Sequence, residues 1–385
     1  MSDAQSFVMP HDSVYGPGAL EKAAPRLASM GKRALVVTDA LMGKLGNLAR
    51  LTGVLDAAGV ESFVYDEVNS EPVDHMVERG VELFEQQGCD FIVALGGGSP
   101  IDTMKAIALC SASGRAIASF MGQPYEGPIC PMAAIPTTAG TGSEATQFTI
   151  ITDTANDVKM LIAGAPLIPE LAIVDPAFTM TAPASVTAAT GIDALCHAIE
   201  SYTSRKAQPL SQTFSLSAVK RIFASLATCV EDPGNVEART EMSIAATEAG
   251  IAFNNSSVTI IHGMSRPIGA LFHVPHGLSN AVLMEACLGF ALDGAYGRFA
   301  DVARNCGISS AADDERAAHD LMDAIHKLLV KVDIPTLEQL GVERDAFEAA
   351  IDKMAADAEA SGSPANTIKP VTQADMRALY HAVYA

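Results

Sequence analysis

The sequence predicts an N-terminal α/β domain with a doubly wound, mainly parallel sheet, followed by an all-α C-terminal domain. Three observations carry this expectation. Short, continuously apolar runs ending in turn residues alternate with helical patterns through the first half. After about Pro176 strand-like runs nearly vanish and long helical periodicities take over. The 385 residues also exceed one ordinary domain. We place the boundary near residue 180, giving domains 1–180 and 181–385. The Asp175-Pro176 and Ala182-Pro183 pairs punctuate the change.

Arg33–Asp39 (RALVVTD) reads as a buried strand ending in a turn, and Phe91–Leu95 (FIVAL) as another, ending in Gly96-Gly97-Gly98. Ala133–Thr138 (AAIPTT) and Leu171–Asp175 (LAIVD) repeat the pattern. Apolar runs of this length, unbroken by polar residues, fit strands covered on both faces. Helical patterns over Val73–Gln87 and Pro100–Ser111 lie between them. Six more helices are expected in the second half: Pro183–Thr203, Leu210–Ala227, Ala238–Phe253, Gly289–Asn305, Asp314–Lys331 and Arg344–Ala360.

Composition narrows the function. With 49% hydrophobic and 18% charged residues the chain can bury a large core. No window approaches about 20 uninterrupted apolar residues, so no membrane span is expected. Residues 1–10 carry neither a basic patch nor an apolar run, so no secretory signal is expected. A net charge of −20 makes nucleic acid and anionic lipid poor partners. It also disfavours an anionic cofactor unless a local backbone site overrides the global field. Seven scattered cysteines, an odd count with no C-x-x-C pair, read as reduced thiols of a cytoplasmic protein.

Two glycine-rich turns stand at the ends of predicted strands. In Ala94–Asp102 (ALGGGSPID) a strand meets a glycine turn and a helix start. Glycines there permit positive φ and close backbone approach. The helix N-terminus offers unpaired N–H groups and the positive end of its dipole, a site suited to a pyrophosphate. The bland alternative is a plain tight βα turn. Pro136–Glu144 (PTTAGTGSE) has hydroxyls and amides suited to phosphate, ribose or carboxamide, or to a capped helix start. Ligands of open α/β sheets bind at the carboxyl ends of strands. Asp39, at such an end, suits ribose hydroxyls and would favour NAD over NADP; a helix cap is the alternative.

The second half holds an acidic and histidine constellation. Asp193 and His197 are four apart and share one helix face. Four of the nine histidines (His197, His262, His273 and His276) fall within eighty residues. One carboxylate with several imidazoles suits a first-row divalent metal. A packed core histidine and a simple Asp–His hydrogen bond are the alternatives.

These motifs together resemble the iron-containing (group III) alcohol dehydrogenase family. The matching segments are VYGPGAL (14–20), GGGSPIDTMKA (96–106), IPTTAGTGSEAT (135–146), LAIVDP (171–176), GIDALCHAIESY (191–202) and HGMSRPIGALFHVPHG (262–277), in the family's order. The resemblance implies a dehydroquinate synthase-like architecture: a dinucleotide-binding domain, a helical domain and a cleft between them. It implies one divalent ion, Fe2+ with Zn2+ as the alternative, on Asp193, His197, His262 and His276. It implies NAD contacts from Asp39, Gly96, Gly97, Gly98, Ser99, Asp102, Thr137, Thr138, Thr141, Ser143 and Lys159. It places Phe253 beside the substrate, a small primary alcohol or aldehyde, and implies a homo-oligomer built on a dimer.

Two positions depart from the family's commonest pattern. Arg266 stands where many members carry a histidine assigned to proton relay or a near-metal role. It reads either as a holder of an anionic substrate tail or as a salt-bridge partner in an acidic protein. His273, three residues before His276, reads as a relay or as a structural residue. The rivals are a zinc-dependent polyol (glycerol-type) dehydrogenase, a dehydroquinate synthase-like lyase, a metal-dependent hydrolase and a non-catalytic scaffold. The lyase needs a Lys/Arg cluster, and the candidate segments offer chiefly Lys159, Arg205 and Arg266. The hydrolase leaves the glycine turns unexplained.

Overall fold

Residues 4–156 and 158–384 are described by a computed structural model. The chain divides into two units, one spanning Val8–Ala182 and one running from Pro183 to the C-terminus together with the N-terminal residues up to Phe7.

The first unit is built on six parallel strands: β1 (Asp12–Tyr15), β2 (Arg33–Val37), β3 (Glu61–Tyr65), β4 (Phe91–Gly96), β5 (Met132–Pro136) and, last in sequence, β8 (Leu171–Val174). They lie in the order β1-β8-β5-β4-β2-β3. β6 (Phe148–Asp153) and β7 (Val158–Ala163) form a separate antiparallel pair. Five helices accompany them: α1 (Ala19–Met30), α2 (Ala40–Lys44), α3 (Asn47–Ala57), α4 (Asp74–Gln86) and α5 (Gly98–Ser113).

Strand periodicity explains the two-faced sheet. Successive side chains alternate sides, so Ala34 and Val36 of β2 and Phe91, Val93 and Leu95 of β4 join α1 and α3 in one core. Leu35, Val37, Ile92 and Ala94 join α4 and α5 in the other. Helices therefore cover both faces, and the doubly wound expectation holds. The strand order reverses between β2 and β4, which makes their carboxyl ends the topological switch point where such sheets take ligands. Thr38 Oγ1 donates to Leu95 O at 2.7 Å and ties these two ends together.

The second unit is helical: α6 (Ala184–Thr203), α7 (Pro209–Glu231), α8 (Val236–Asn254), α9 (Ile260–Phe272), α10 (His276–Ala291), α11 (Tyr296–Asn305), α12 (Asp314–Lys331), α13 (Arg344–Ala360) and α14 (Gln373–Tyr384). α6 is buried on nearly every side from Gly191 to Thr203 and packs against α7, α8 and α10. α7 is long and apolar enough by composition to cross a bilayer, and it packs against α6 and α8. The seven cysteines are unpaired.

The helix expected over Gly289–Asn305 is corrected. α10 ends at Ala291, a 3-10 turn covers Leu292–Gly294, and α11 leaves at 116°. Locally, Asp293-Gly294 is turn chemistry; in the fold Gly294 also packs closely on Lys369, where a Cβ would lie 2.5 Å from Lys369 Cβ. The strand expected over Ala133–Thr138 runs over β5 and stops at Pro136, so Thr137 and Thr138 belong to the turn.

Candidate active site

The helical unit gathers four donors. Asp193 and His197 project from α6, His262 from the first turn of α9, and His276 opens α10. One potential ligand atom from each lies within 4.8 Å of all the others. Asp193 Oδ1 is 3.5 Å from His262 Nε2, 3.8 Å from His276 Nε2 and 3.9 Å from His197 Nδ1. Gly277 makes this approach feasible, because a Cβ there would sit 2.6 Å from Ala189 O on α6. Asp193, His197 and His262 are buried, while His276 is open to solvent.

The electrostatics suit a cation. Burial pushes the Asp193 carboxyl up, but His197, His276 and His262 outweigh it and hold the group well below the usual carboxylate range. Burial pushes His197 down to about 3, against the pull of Asp193. Burial would lower His262 too, yet Glu200 and Asp193 raise it to about 9. His197 Nδ1 is buried without a hydrogen-bond partner. A buried, unpaired imidazole nitrogen beside a charged carboxylate and two further imidazoles fits a divalent first-row ion. Asn280 Nδ2 reaches the same cluster, 2.7 Å from Asp193 Oδ1 and 3.1 Å from His262 Nε2.

The neighbouring expectations resolve individually. The Phe253 ring stacks on His197 with centroids 4.3 Å apart and planes 17° apart, so it covers a donor directly. Arg266 lies one turn beyond His262 on α9 and is half-buried. It forms no ion pair or hydrogen bond among the described residues. Burial lowers its pKa, and Glu200 partly restores it. His273 is exposed, ends α9 with φ 55° and stands outside the four-donor cluster; such left-handed caps are places where histidine is tolerated. Sequence reasoning missed Glu200, which lies three residues past His197 on α6 and binds His262. Its only signal was its place inside the GIDALCHAIESY segment.

In the α/β unit the two glycine turns are neighbours, because β4 pairs β5 with Gly96 opposite Pro136. None of Gly96, Gly97 and Gly98 adopts positive φ, so conformational freedom is not why they are glycines. Close approach is the reason at Gly96 and, less tightly, at Gly98. A Cβ on Gly96 would lie 2.4 Å from Pro100, and one on Gly98 3.2 Å from Thr141. α5 starts at Gly98 with no side-chain cap, leaving its first N–H groups unpaired by side chains. Gly97, Gly98, Ser99, Thr138 and Thr141 are half-buried, whereas Thr137 is buried and donates its N–H to Gly96 O at 3.0 Å.

Other expected contacts are engaged within the unit. Ser143 Oγ donates to Asp102 Oδ1 at 2.6 Å, and Ile150 N–H donates to Asp102 Oδ2 at 2.9 Å. Both Asp102 oxygens are thus engaged within the unit. Asp39 Oδ1 caps α2, accepting from Leu41 N at 2.8 Å and Met42 N at 3.1 Å, and its other oxygen is not part of that cap. Lys159 on β7 pairs with Glu71 at 2.6 Å.

A doubly wound sheet with glycine turns at its carboxyl edge, joined in one chain to a helical unit that clusters one aspartate with three histidines, defines the dehydroquinate synthase-like fold class. The profile of iron-containing alcohol dehydrogenases matches residues 10–176, and that of the family's C-terminal region matches 187–384. The chain is 37% identical to the NAD-dependent methanol dehydrogenase of Bacillus methanolicus over 351 residues, 89% of this chain and 91% of that protein. A solved 1,3-propanediol oxidoreductase superposes with a TM-score of 0.95 at 32% identity, covering 99% of this chain and 100% of that one. Sulfoacetaldehyde reductase from Bifidobacterium kashiwanohense, solved with NAD+, gives 0.90 at 29% identity with 100% of both chains covered. The chain belongs to the iron-containing alcohol dehydrogenase family. It is an oxidoreductase acting on the CH–OH group.

Proposed function

We propose that the enzyme transfers a hydride between NAD and a small primary alcohol or aldehyde, with Fe2+ held by Asp193, His197, His262 and His276. The convergence of these four donors within 4.8 Å is the observation that carries this reading. The family's description supports iron, and the NAD-linked relatives support the nucleotide. In this proposal the α/β domain 1–180 takes the nucleotide, and domain 181–385 takes the ion and substrate.

The ion would supply a Lewis acid that favours the deprotonated substrate hydroxyl, and the nicotinamide would supply the hydride acceptor. The remaining work falls to the chain. Gly96, Gly97 and Gly98 and the uncapped N-terminus of α5 meet the pyrophosphate through backbone amides. Ser99, Thr138 and Thr141 line the turns with hydroxyls, and Thr137, Asp102 and Ser143 hold them in place. The oxygen of Asp39 outside the α2 cap accepts from ribose hydroxyls. Phe253 shields His197 from water. The seven unpaired thiols support a cytoplasmic setting, and the family resemblance supports a homodimer as the basic unit.

The test is absorbance at the reduced-nicotinamide band with a panel of alcohols and aldehydes, run with added iron(II) and with zinc. Turnover of short primary alcohols is expected, strongest with iron. The absence of nucleotide turnover with every substrate and either ion would sink the reading. Best activity with zinc on vicinal polyols would favour the polyol dehydrogenase instead.

Arg266 supports a finer substrate class. A half-buried guanidinium with no ion-pair partner among the described residues, one turn from His262, suits a substrate with a distal acid group, and a relative with that kind of substrate is sulfoacetaldehyde reductase. A charge-assisted hydrogen bond contributes about 1.5–3 kcal/mol. We therefore expect kcat/KM for an acidic aldehyde to exceed that for a neutral one of equal length by about 10- to 100-fold. Arg266→Gln should erase the preference and leave the neutral substrate nearly unaffected. Equal values in the wild-type enzyme would remove this class.

A further inference from the structure

We infer that Glu200 is a positioning residue for the ion, selecting the ring nitrogen that His262 presents to it. This rests on the reading that the four donors hold an ion.

Glu200 is completely buried on α6, on the helix that also carries Asp193 and His197. Its Oε1 accepts from Thr259 N at 3.0 Å, Ile261 N at 2.8 Å and Thr259 Oγ1 at 2.7 Å. It thereby satisfies donors at the start of α9, and its negative charge faces the positive end of that helix dipole. Its Oε2 hydrogen-bonds His262 Nδ1. The opposite ring nitrogen, Nε2, faces Asp193 Oδ1 at 3.5 Å. A proton on Nδ1, held by a carboxylate, leaves the Nε2 lone pair for the ion and fixes the ring plane.

No neutral isostere can do both jobs. A glutamine at this position has one accepting oxygen and one donating NH2. With the oxygen toward α9, the NH2 faces His262 Nδ1 and demands the opposite tautomer, with a proton on Nε2 where the ion should bind. With the oxygen toward His262, the NH2 meets the N–H groups of Thr259 and Ile261. The second acceptor oxygen is therefore the feature that matters, and a carboxylate is the side chain of this length that has it.

Full-length wild-type enzyme, Glu200→Gln and Thr259→Val are stripped with chelator and titrated with zinc(II) against a chromophoric competitor. Glu200→Gln is expected to bind zinc about 10- to 100-fold more weakly, with Thr259→Val within about twofold of wild type. If wild type takes up no zinc, the ion-site reading itself fails. If wild type binds zinc and Glu200→Gln binds it equally well, the Glu200 inference fails and the ion site stands. Equal weakening in Thr259→Val would point to general loosening of α9 and would also overturn it. Should Glu200→Gln not fold, histidine-labelled wild type decides. Long-range proton–nitrogen NMR of the zinc-loaded enzyme is expected to show His262 protonated at Nδ1, and an unprotonated Nδ1 overturns the inference.

Discussion

Asp193→Asn is expected to lower kcat/KM at least about a thousandfold, a loss of about 4 kcal/mol in transition-state stabilisation, and to empty the ion site on dialysis against chelator. Asp193 is the sole carboxylate among the four clustered donors. Three imidazoles alone would leave the full dipositive charge of the ion in a buried site, where an uncompensated charge is costly. The Asp193 carboxylate stays ionised because its histidine neighbours outweigh its burial. Asparagine keeps the shape and still accepts from Asn280 Nδ2, which lies 2.7 Å from Asp193 Oδ1, so the helices should hold their places. His276→Ala should behave similarly at less cost to the fold, since that side chain is 45% exposed. Ion content by elemental analysis, read beside steady-state rates, checks both. An Asp193→Asn enzyme that keeps one ion per chain and a rate within tenfold of wild type would break the assignment.

The parts of the fold that show in the sequence are those whose burial is complete. β4 is buried at every residue, so FIVAL appears as an unbroken apolar run. β3 is an edge strand with exposed and half-buried positions, and its ESFVY sequence carries no such signature. β1, the other edge, is four residues long and alternates half-buried with exposed positions. α9 lacks a recognisable helix signature for a different reason. His262, Gly263, Pro267 and Gly269 interrupt α9, and its N-terminal half is buried on all sides.

The candidate site divides along the same physical line. Asp193 and His197 are visible in the sequence as a pair because they sit four apart on one helix, whereas the choice of His262 and His276 over His273 comes only with the family resemblance. Glu200 and Asn280 are not visible, because their roles arise only when α6, α9 and α10 pack together. The expectation of positive φ in the glycine turn failed because what restricts Gly96 and Gly98 is the proximity of Pro100 and Thr141, and the Thr141 contact arises only from the pairing of β4 with β5. The net charge of −20 is no obstacle to a nucleotide here. The proposed phosphate site consists of backbone N–H groups at α5, and it needs no excess of lysine or arginine.

Lys105→Met is expected to destabilise the α/β unit by about 3–5 kcal/mol and to raise the nucleotide KM more than it lowers kcat. Lys105 is completely buried in α5. Its Nζ donates to Ser143 O at 2.7 Å, Phe148 O at 2.8 Å and Thr146 O at 2.9 Å, a full set of partners for three N–H protons. It therefore fastens the segment after the second glycine turn to the helix that follows the first. Burial pushes Lys105 down to about 8, with Asp102 and Glu144 resisting, so it remains charged at neutral pH. Methionine fills the volume but removes the donor shared by Ser143 O, Thr146 O and Phe148 O, and it removes the buried cation that acts on Asp102 and Glu144. Asp102 is already raised by burial despite Lys105, and without the lysine it should rise further. A carboxyl raised in the folded state stabilises below its unfolded pKa, and that contribution is lost as pH climbs through the folded value. The deficit of Lys105→Met should accordingly shrink as pH falls toward the ordinary carboxylate range. Denaturant unfolding at several pH values measures this directly. A variant with wild-type stability at pH 7 and an unchanged nucleotide KM would show that the clamp positions nothing.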